Sequence, residues 1–256
     1  MLLKIQQIVI FVTISAFVSC RDSPLALSEI RGSQIPINDS LPPVDSLEAF
    51  VAPYRQRVNQ VLDSTLAYAP FTISKTDGIY NTTAGNLMAD IVLEEANPIF
   101  RARTGREIDF VLLNHGGIRS VISPGPVSAR TAYHIMPFDN TIVVAEMSGS
   151  AVRNLVAFLI QAKKPHPIAG IQIILGKDNR LEEVNIRGIP FDENRNYFVA
   201  TSSYLTQGGD DMVFFRDAWS FTETDYYIRN ALIDYFQKVD TLKPAVDDRF
   251  MKKNSL

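Results

Sequence analysis

Apolar residues along this chain recur at two spacings, and the switches between them divide it into helices and short strands. Over 45–68, Leu47, Phe50, Val51, Tyr54, Val58, Val61, Leu62 and Leu66 fall three and four residues apart, the period of a one-faced helix, interrupted near Pro53. A second helical pattern occupies 83–100, with Leu87, Ile91, Val92 and Ala96 on one face and Asn97-Pro98 marking a kink or an end. Further helices are expected over 128–136, over 151–162 behind Ser148 as N-cap, and over 224–239. Apolar runs at 71–74, 108–113, 141–147, 171–175, 181–186 and 197–201 read as strands. Helices interleaved with such strands predict an α/β domain, a mixed β-sheet flanked by helices, with no internal repeat.

The amino-terminal region breaks this pattern. Lys4 precedes an apolar run over 8–18 that is too short to span a membrane, and the run ends in Phe17-Val18-Ser19-Cys20. Small residues before a cysteine resemble the bacterial lipoprotein cleavage box, which would make Cys20 the lipid-bearing first mature residue. An ordinary signal peptide with an incidental cysteine is the alternative. Residues 21–43, rich in Ser, Pro, Asn and Asp, suit a tether. The expected organisation is a leader at 1–19, a tether at 20–44, a linker helix at 45–70 packed on the body, and a domain over 71–256. The expected location is outside the inner membrane, lipid-anchored in a bacterial cell envelope.

Composition narrows the partners. Twenty-five basic against 28 acidic residues give a net charge of −3, so no basic field exists to hold a nucleic-acid polymer. Cys20 is the single cysteine, which excludes an internal disulfide and a thiolate metal site.

Hydrolysis of a phosphate ester needs an activated nucleophile or gripping metal ions. His115, His134 and His166 are scattered and lie in no two-metal phosphoesterase context; there is no phosphate-cradling P-loop and no Gly-x-Ser-x-Gly elbow. Neither catalytic nor metal-binding residues are therefore assigned. Three loops at strand ends instead carry recognition chemistry. Asn114-His115-Gly116-Gly117-Ile118-Arg119 pairs an amide and a forked cation with two glycines that admit close backbone approach. Pro137-Phe138-Asp139-Asn140 offers an aromatic ring, and Tyr204-Leu205-Thr206-Gln207-Gly208-Gly209-Asp210 offers a second ring six residues before a carboxylate. A carboxylate beside glycines suits the two hydroxyls of a ribose. Taken singly, the first loop reads equally well as a plain Gly-Gly turn, an isolated Phe such as Phe138 is usually core, and the third loop is more often a solvated turn.

Taken together, in order over 71–215, these loops resemble the C-terminal domain of the 5′-nucleotidase family, with Gly85-Asn86-Leu87, Asp90 and Ser148-Gly149 as further matching parts. The resemblance implies that Phe138 and Tyr204 sandwich a base, Asp210 holds the ribose, and Asn114 and Arg119 make polar contacts beside Gly116, Gly117 and Gly209. The rings of such a sandwich stand about 7 Å apart, twice the usual stacking separation. It implies a nucleoside or nucleotide ligand, a purine favoured. It also implies a divalent metal pair and a metallophosphatase domain that this sequence does not contain. A separate metallophosphatase subunit is thus the expected partner, docked on an exposed apolar patch such as the 45–68 helix face, and no cofactor is expected in this chain. A stand-alone nucleoside-binding lipoprotein, or a scaffold that has lost the site, are the alternatives. Two departures bear on the pocket. Residues 74–83 carry only Lys75 as a cation where relatives place an arginine, and His115 and Asp211 replace small residues at the rim.

Overall fold

A computed structural model describes residues 2–17, 27, 29–38, 40–162 and 164–253, so Cys20 and most of the region just after it lie outside the described residues. The chain separates into two compact units, Met1–Phe50 and Val51–Leu256. The first contains helix α1 (Leu2–Phe17), and the boundary falls within helix α2 (Asp45–Asp63). No helix among the described residues is long and apolar enough to cross a membrane.

In the second unit the elements follow as β1 (Thr65–Ala69), α3 (Thr83–Thr104), β2 (Phe110–Leu112), β3 (Gly125–Ser128), α4 (Ala129–Ile135), β4 (Thr141–Ser148), α5 (Gly149–Ala162), β5 (Ile168–Ala169), β6 (Ile171–Leu175), β7 (Leu181–Ile186), β8 (Ile189–Pro190), β9 (Asn196–Ser202), α6 (Ser203–Thr206), β10 (Ser220–Tyr227), α7 (Ile228–Lys238) and β11 (Phe250–Lys252). The main sheet has the order β10-β4-β9-β2-β5; a smaller one runs β11-β6-β7-β8, and β1 pairs with β3. Both sheets mix parallel and antiparallel pairs, as expected of the α/β class.

The main sheet is buried on both faces. Val111, Ile142, Val144 and Ala200 join Leu87, Ile91, Phe100, Leu232 and Phe236 of α3 and α7 on one side. Phe110, Leu112, Ala145, Met147 and Val199 join Val152, Leu155 and Leu159 of α5 and the small sheet on the other. Double burial explains why these strands read as continuous apolar runs rather than alternating ones.

Several sequence expectations are corrected. The helix predicted to 68 ends at Asp63, because Ala67 and Ala69 alternate inward on the strand β1 that pairs with β3. Within the second unit the expected packing of its apolar face is not seen at Val51, Val58 and Val61, which are exposed, while the helix end is held by Arg130 bonding Asn59 and Asp63. Helix α3 continues through Pro98, since Phe100 beyond it is buried, and closes on Gly105, whose left-handed backbone (φ 71°) lets its N–H donate to the Arg101 carbonyl. The helix expected from 224 starts at Ile228, because 220–227 forms the edge strand β10 against β4, with Arg103 donating to the Glu223 and Thr224 carbonyls. The strand expected at 71–74 is a single bridge from Ile73 to Ile122.

Candidate functional site

The main sheet gathers three loops at one end. Strands β2 and β9 are parallel, with Phe110 beside Val199, so both chains leave the sheet on the same side, β2 into residues 113–119 and β9 into residues 203–211. Strand β4 is antiparallel to β9, with Ile142 opposite Ser202, so the connection from α4 into β4 arrives at that side too. Ligand clefts of open α/β sheets lie at such carboxyl ends of parallel strands. Here the three loops enclose a cavity of about 300 Å³ lined by Asn114, Gly116, Gly117, Arg119, Phe138, Asn140, Tyr204 and Asp210.

Each loop is fixed by bonds the sequence supplies. The first forms a 3₁₀ turn over His115–Gly117 in which the Asn114 carbonyl accepts from the Gly117 N–H. A Cβ at Gly117 would lie 2.8 Å from Asn114 Oδ1, so only glycine lets that amide tuck beneath the turn. Arg229 donates to Asp139 Oδ1 at 2.6 Å and its guanidinium lies 4.3 Å from the centroid of Tyr133, anchoring the Phe138 loop. In the third loop, Arg216 donates to the Gln207 carbonyl at 2.9 Å, and the Ser203 hydroxyl accepts from the Thr141 N–H, tying that loop to β4.

Two consecutive aspartates, Asp210 (φ 51°) and Asp211 (φ 62°), adopt the left-handed conformation, a cost tolerated by aspartate and concentrated at functional sites. This backbone turns the Asp210 carboxylate toward the cavity, where Oδ2 accepts from Asn114 Nδ2 at 2.8 Å and Oδ1 from the Tyr204 hydroxyl at 3.2 Å. Each oxygen keeps a lone pair for a ligand donor. Phe138 and Tyr204 are 40% and 48% exposed, large apolar rings left available on the cavity wall. The Arg119 guanidinium lies 5.7 Å from the Phe138 ring centroid, within cation–π range.

Two histidines border this arrangement without entering the wall. His166 Nδ1 accepts from the His115 N–H, and His115 Nε2 sits 3.1 Å from the Lys75 carbonyl. Burial, reinforced by His115 and opposed by Asp210, pushes His166 down to about 4; burial also lowers His115. Both rings are therefore neutral at pH 7.

The structure brings seven of the eight expected site residues to one cavity. The eighth, Gly209, lies behind it: a Cβ there would stand 2.5 Å from Tyr204 Cε1, so the glycine seats the ring and borders an adjoining opening with Gln207 and Gly208. His115, expected at the rim, directs its ring to the Lys75 carbonyl instead, and its backbone N–H donates to His166 Nδ1. Asn140 was not among the expected residues. It lines both openings, and its side-chain amide makes no hydrogen bond among the described residues. Its signal was the Pro-Phe-Asp-Asn connection itself, in which an amide follows the ring by two positions. Among the described residues no group of three or more His, Cys, Asp or Glu side chains could hold a metal ion, so they do not fit a divalent pair.

Residues 61–217 match the family model described as 5′-nucleotidase, C-terminal domain. The chain belongs to that family. It is similar to Protein UshA of Escherichia coli (strain K12), 29% identical over 147 residues that cover 56% of this chain and 26% of that protein. It is likewise similar to the NAD 5′-nucleotidase of Haemophilus influenzae, 27% identical over 58% of this chain and 26% of the relative. The chain thus spans about a quarter of the length of these curated relatives. In fold it is similar to a 5′-nucleotidase precursor from Thermus thermophilus (TM-score 0.67, 20% identity, 83% of this chain and 44% of that one). The Haemophilus influenzae NAD nucleotidase structure gives a TM-score of 0.62 at 19% identity, over 82% of this chain and 42% of that one.

Proposed function

We propose that this chain is the nucleoside-recognition module of a 5′-nucleotidase-type hydrolase, with a purine base held between Phe138 and Tyr204 and the ribose hydroxyls on Asp210. The observation that carries this reading is the convergence of two exposed rings and a left-handed, doubly anchored carboxylate on one cavity of about 300 Å³. That volume stands at the lower end of the range of small-molecule clefts. Asn140 supplies a free amide for the base edge, and Arg119 borders the ring wall.

In this reading the metal-dependent step lies outside the described residues, none of whose donor sets fits a divalent pair, and is carried by a metallophosphatase subunit. The exposed Val51, Val58 and Val61 of α2 are the surface where such a subunit would dock. The apolar leader ending at Cys20 supports export and lipid anchoring in the cell envelope. A second reading, a non-catalytic nucleoside-binding lipoprotein, is favoured by the balanced charge of the cavity wall, one guanidinium against one carboxylate.

Calorimetric titration with adenosine, AMP and uridine tests the proposal. Stacking contributes ~1–3 kcal/mol per base. Phe138→Ala and Tyr204→Ala are therefore each expected to weaken adenosine binding by about five- to 150-fold. Binding that is unchanged in both variants, or no binding at millimolar ligand, contradicts it.

A further inference from the structure

A second cavity shares no lining residue with the one between Phe138 and Tyr204, and we propose that it binds a small organic carboxylate with an apolar body, such as a medium-chain acid. The space, about 360 Å³, lies among the 79–80 segment before α3, the end of α5, strands β6 and β11, and the β6–β7 turn.

Its wall is mainly apolar. Leu159 of α5, Leu175 of β6 and Phe250 of β11 are buried there, with Tyr80 and Ile160 half-buried beside them. Ile79 is 81% exposed at the solvent side, so a ligand that covers it removes apolar surface from water. The rings of Tyr80 and Phe250 meet with centroids 5.1 Å apart and planes inclined by 35°. A flat base sandwiched between rings needs them about 7 Å apart and facing. No carboxylate among the described lining residues is present to accept from a ribose diol, so the cavity is not a second nucleoside seat.

The polar groups of the wall decide the ligand class. Lys164 carries the only charge among the described lining residues, and its ammonium has no hydrogen-bond or ion-pair partner among them. The Asn179 amide and the Tyr80 hydroxyl likewise make no hydrogen bond among the described residues. Asn179 sits in the left-handed region (φ 63°) of the β6–β7 turn, where its N–H donates to the Gly176 carbonyl. An apolar wall with a few polar groups is the makeup of small-molecule clefts, and the volume lies within their range. One ammonium with two neutral hydrogen-bonding groups matches one carboxylate. An amine would be repelled by Lys164, and an alcohol would leave its charge unanswered.

The test is calorimetric titration of the purified chain with octanoate, 1-octanol and octylamine. Octanoate is expected to bind saturably at one site, octanol more weakly, and octylamine not at all. An exposed ion pair is worth up to about fivefold in affinity, and Lys164→Glu turns attraction into repulsion, so the variant should weaken octanoate about tenfold and leave octanol within about twofold. Ile79→Ser, at an exposed position that does not endanger the fold, should weaken both ligands by about threefold or more. Octanoate that fails to saturate at millimolar concentration, or that binds Lys164→Glu as it binds the parent, overturns the proposal. So does octanoate binding that is lost in Tyr204→Ala, which would place the acid in the other cavity. The nucleoside reading stands or falls separately, on adenosine.

Discussion

Asn114→Ala separates two roles for one side chain. The amide is buried, and its Nδ2 donates to Asp210 Oδ2 at 2.8 Å while the turn at Gly117 closes over its oxygen. It therefore acts on a ligand through the carboxylate, fixing the left-handed Asp210 in its diol-accepting pose. Hydrogen bonds to charged groups contribute about 1.5–3 kcal/mol. Asp210 is exposed and screened, so the effect on ribonucleoside binding is expected near the lower end, about 1–2 kcal/mol, or roughly five- to thirtyfold in affinity. Free adenine, which has no diol, should bind the variant as it binds the parent. Calorimetric titration with adenosine and adenine, beside a thermal melt to confirm folding, reads the difference. Equal losses for the two ligands would refute the positioning role and return Asn114 to a direct base contact.

Other consequences concern stability and the seating of the ring. Gly209→Ala places a methyl within 2.5 Å of Tyr204 Cε1, so it should displace the ring and abolish detectable adenosine binding while costing about 1–3 kcal/mol in a denaturant titration. His166 is held neutral down to about 4 in the fold, against an ordinary value of 6.5. The unfolded chain thus takes up a proton first as pH falls, and stability should decline between pH 6.5 and about 4 by roughly 3 kcal/mol, a slope that His166→Gln should flatten. Arg249 donates to both oxygens of Asp90 at 2.8 and 3.0 Å, to Asp247 and to the Ile168 carbonyl. Burial would raise the Asp247 carboxyl, but hydrogen bonds and charge from Arg249 outweigh it and hold the group below its usual 3.8. The resulting stability is present above that value and lost as pH falls through the lowered one. Arg249→Met should cost about 3 kcal/mol at neutral pH and remove that acid sensitivity, measured by chemical denaturation across pH.

How much of this was legible before the structure depends on the range of the forces involved. Strands buried on both faces announce themselves as apolar runs, so β2, β4 and β9 were readable in sequence, and the residue types of the three loops marked them out although only the family resemblance gave those residues roles. Pairing across the chain was not. Strand β1 borrows its partner from residues 125–128, and β10 is a strand only because β4 lies beside it. The polar roles of site residues are equally non-local: Asn114 meets Asp210 from 96 residues away, so its donor is committed to a carboxylate that no local pattern reveals. Gly209 supports a ring rather than a ligand because the chain folds back on Tyr204. The family resemblance supplied the pairing of the two aromatics, which spacing alone leaves undecided.

The central claim is that Phe138, Tyr204 and Asp210 form one nucleoside seat, and a crystal structure of the chain with adenosine tests it most directly. The account predicts the purine between the two rings, standing about 7 Å apart. It also predicts the ribose hydroxyls within hydrogen-bonding distance of Asp210 and the Asn140 amide on the base edge. Adenosine bound away from this cavity, or in it with neither ring stacked on the base, would contradict the account.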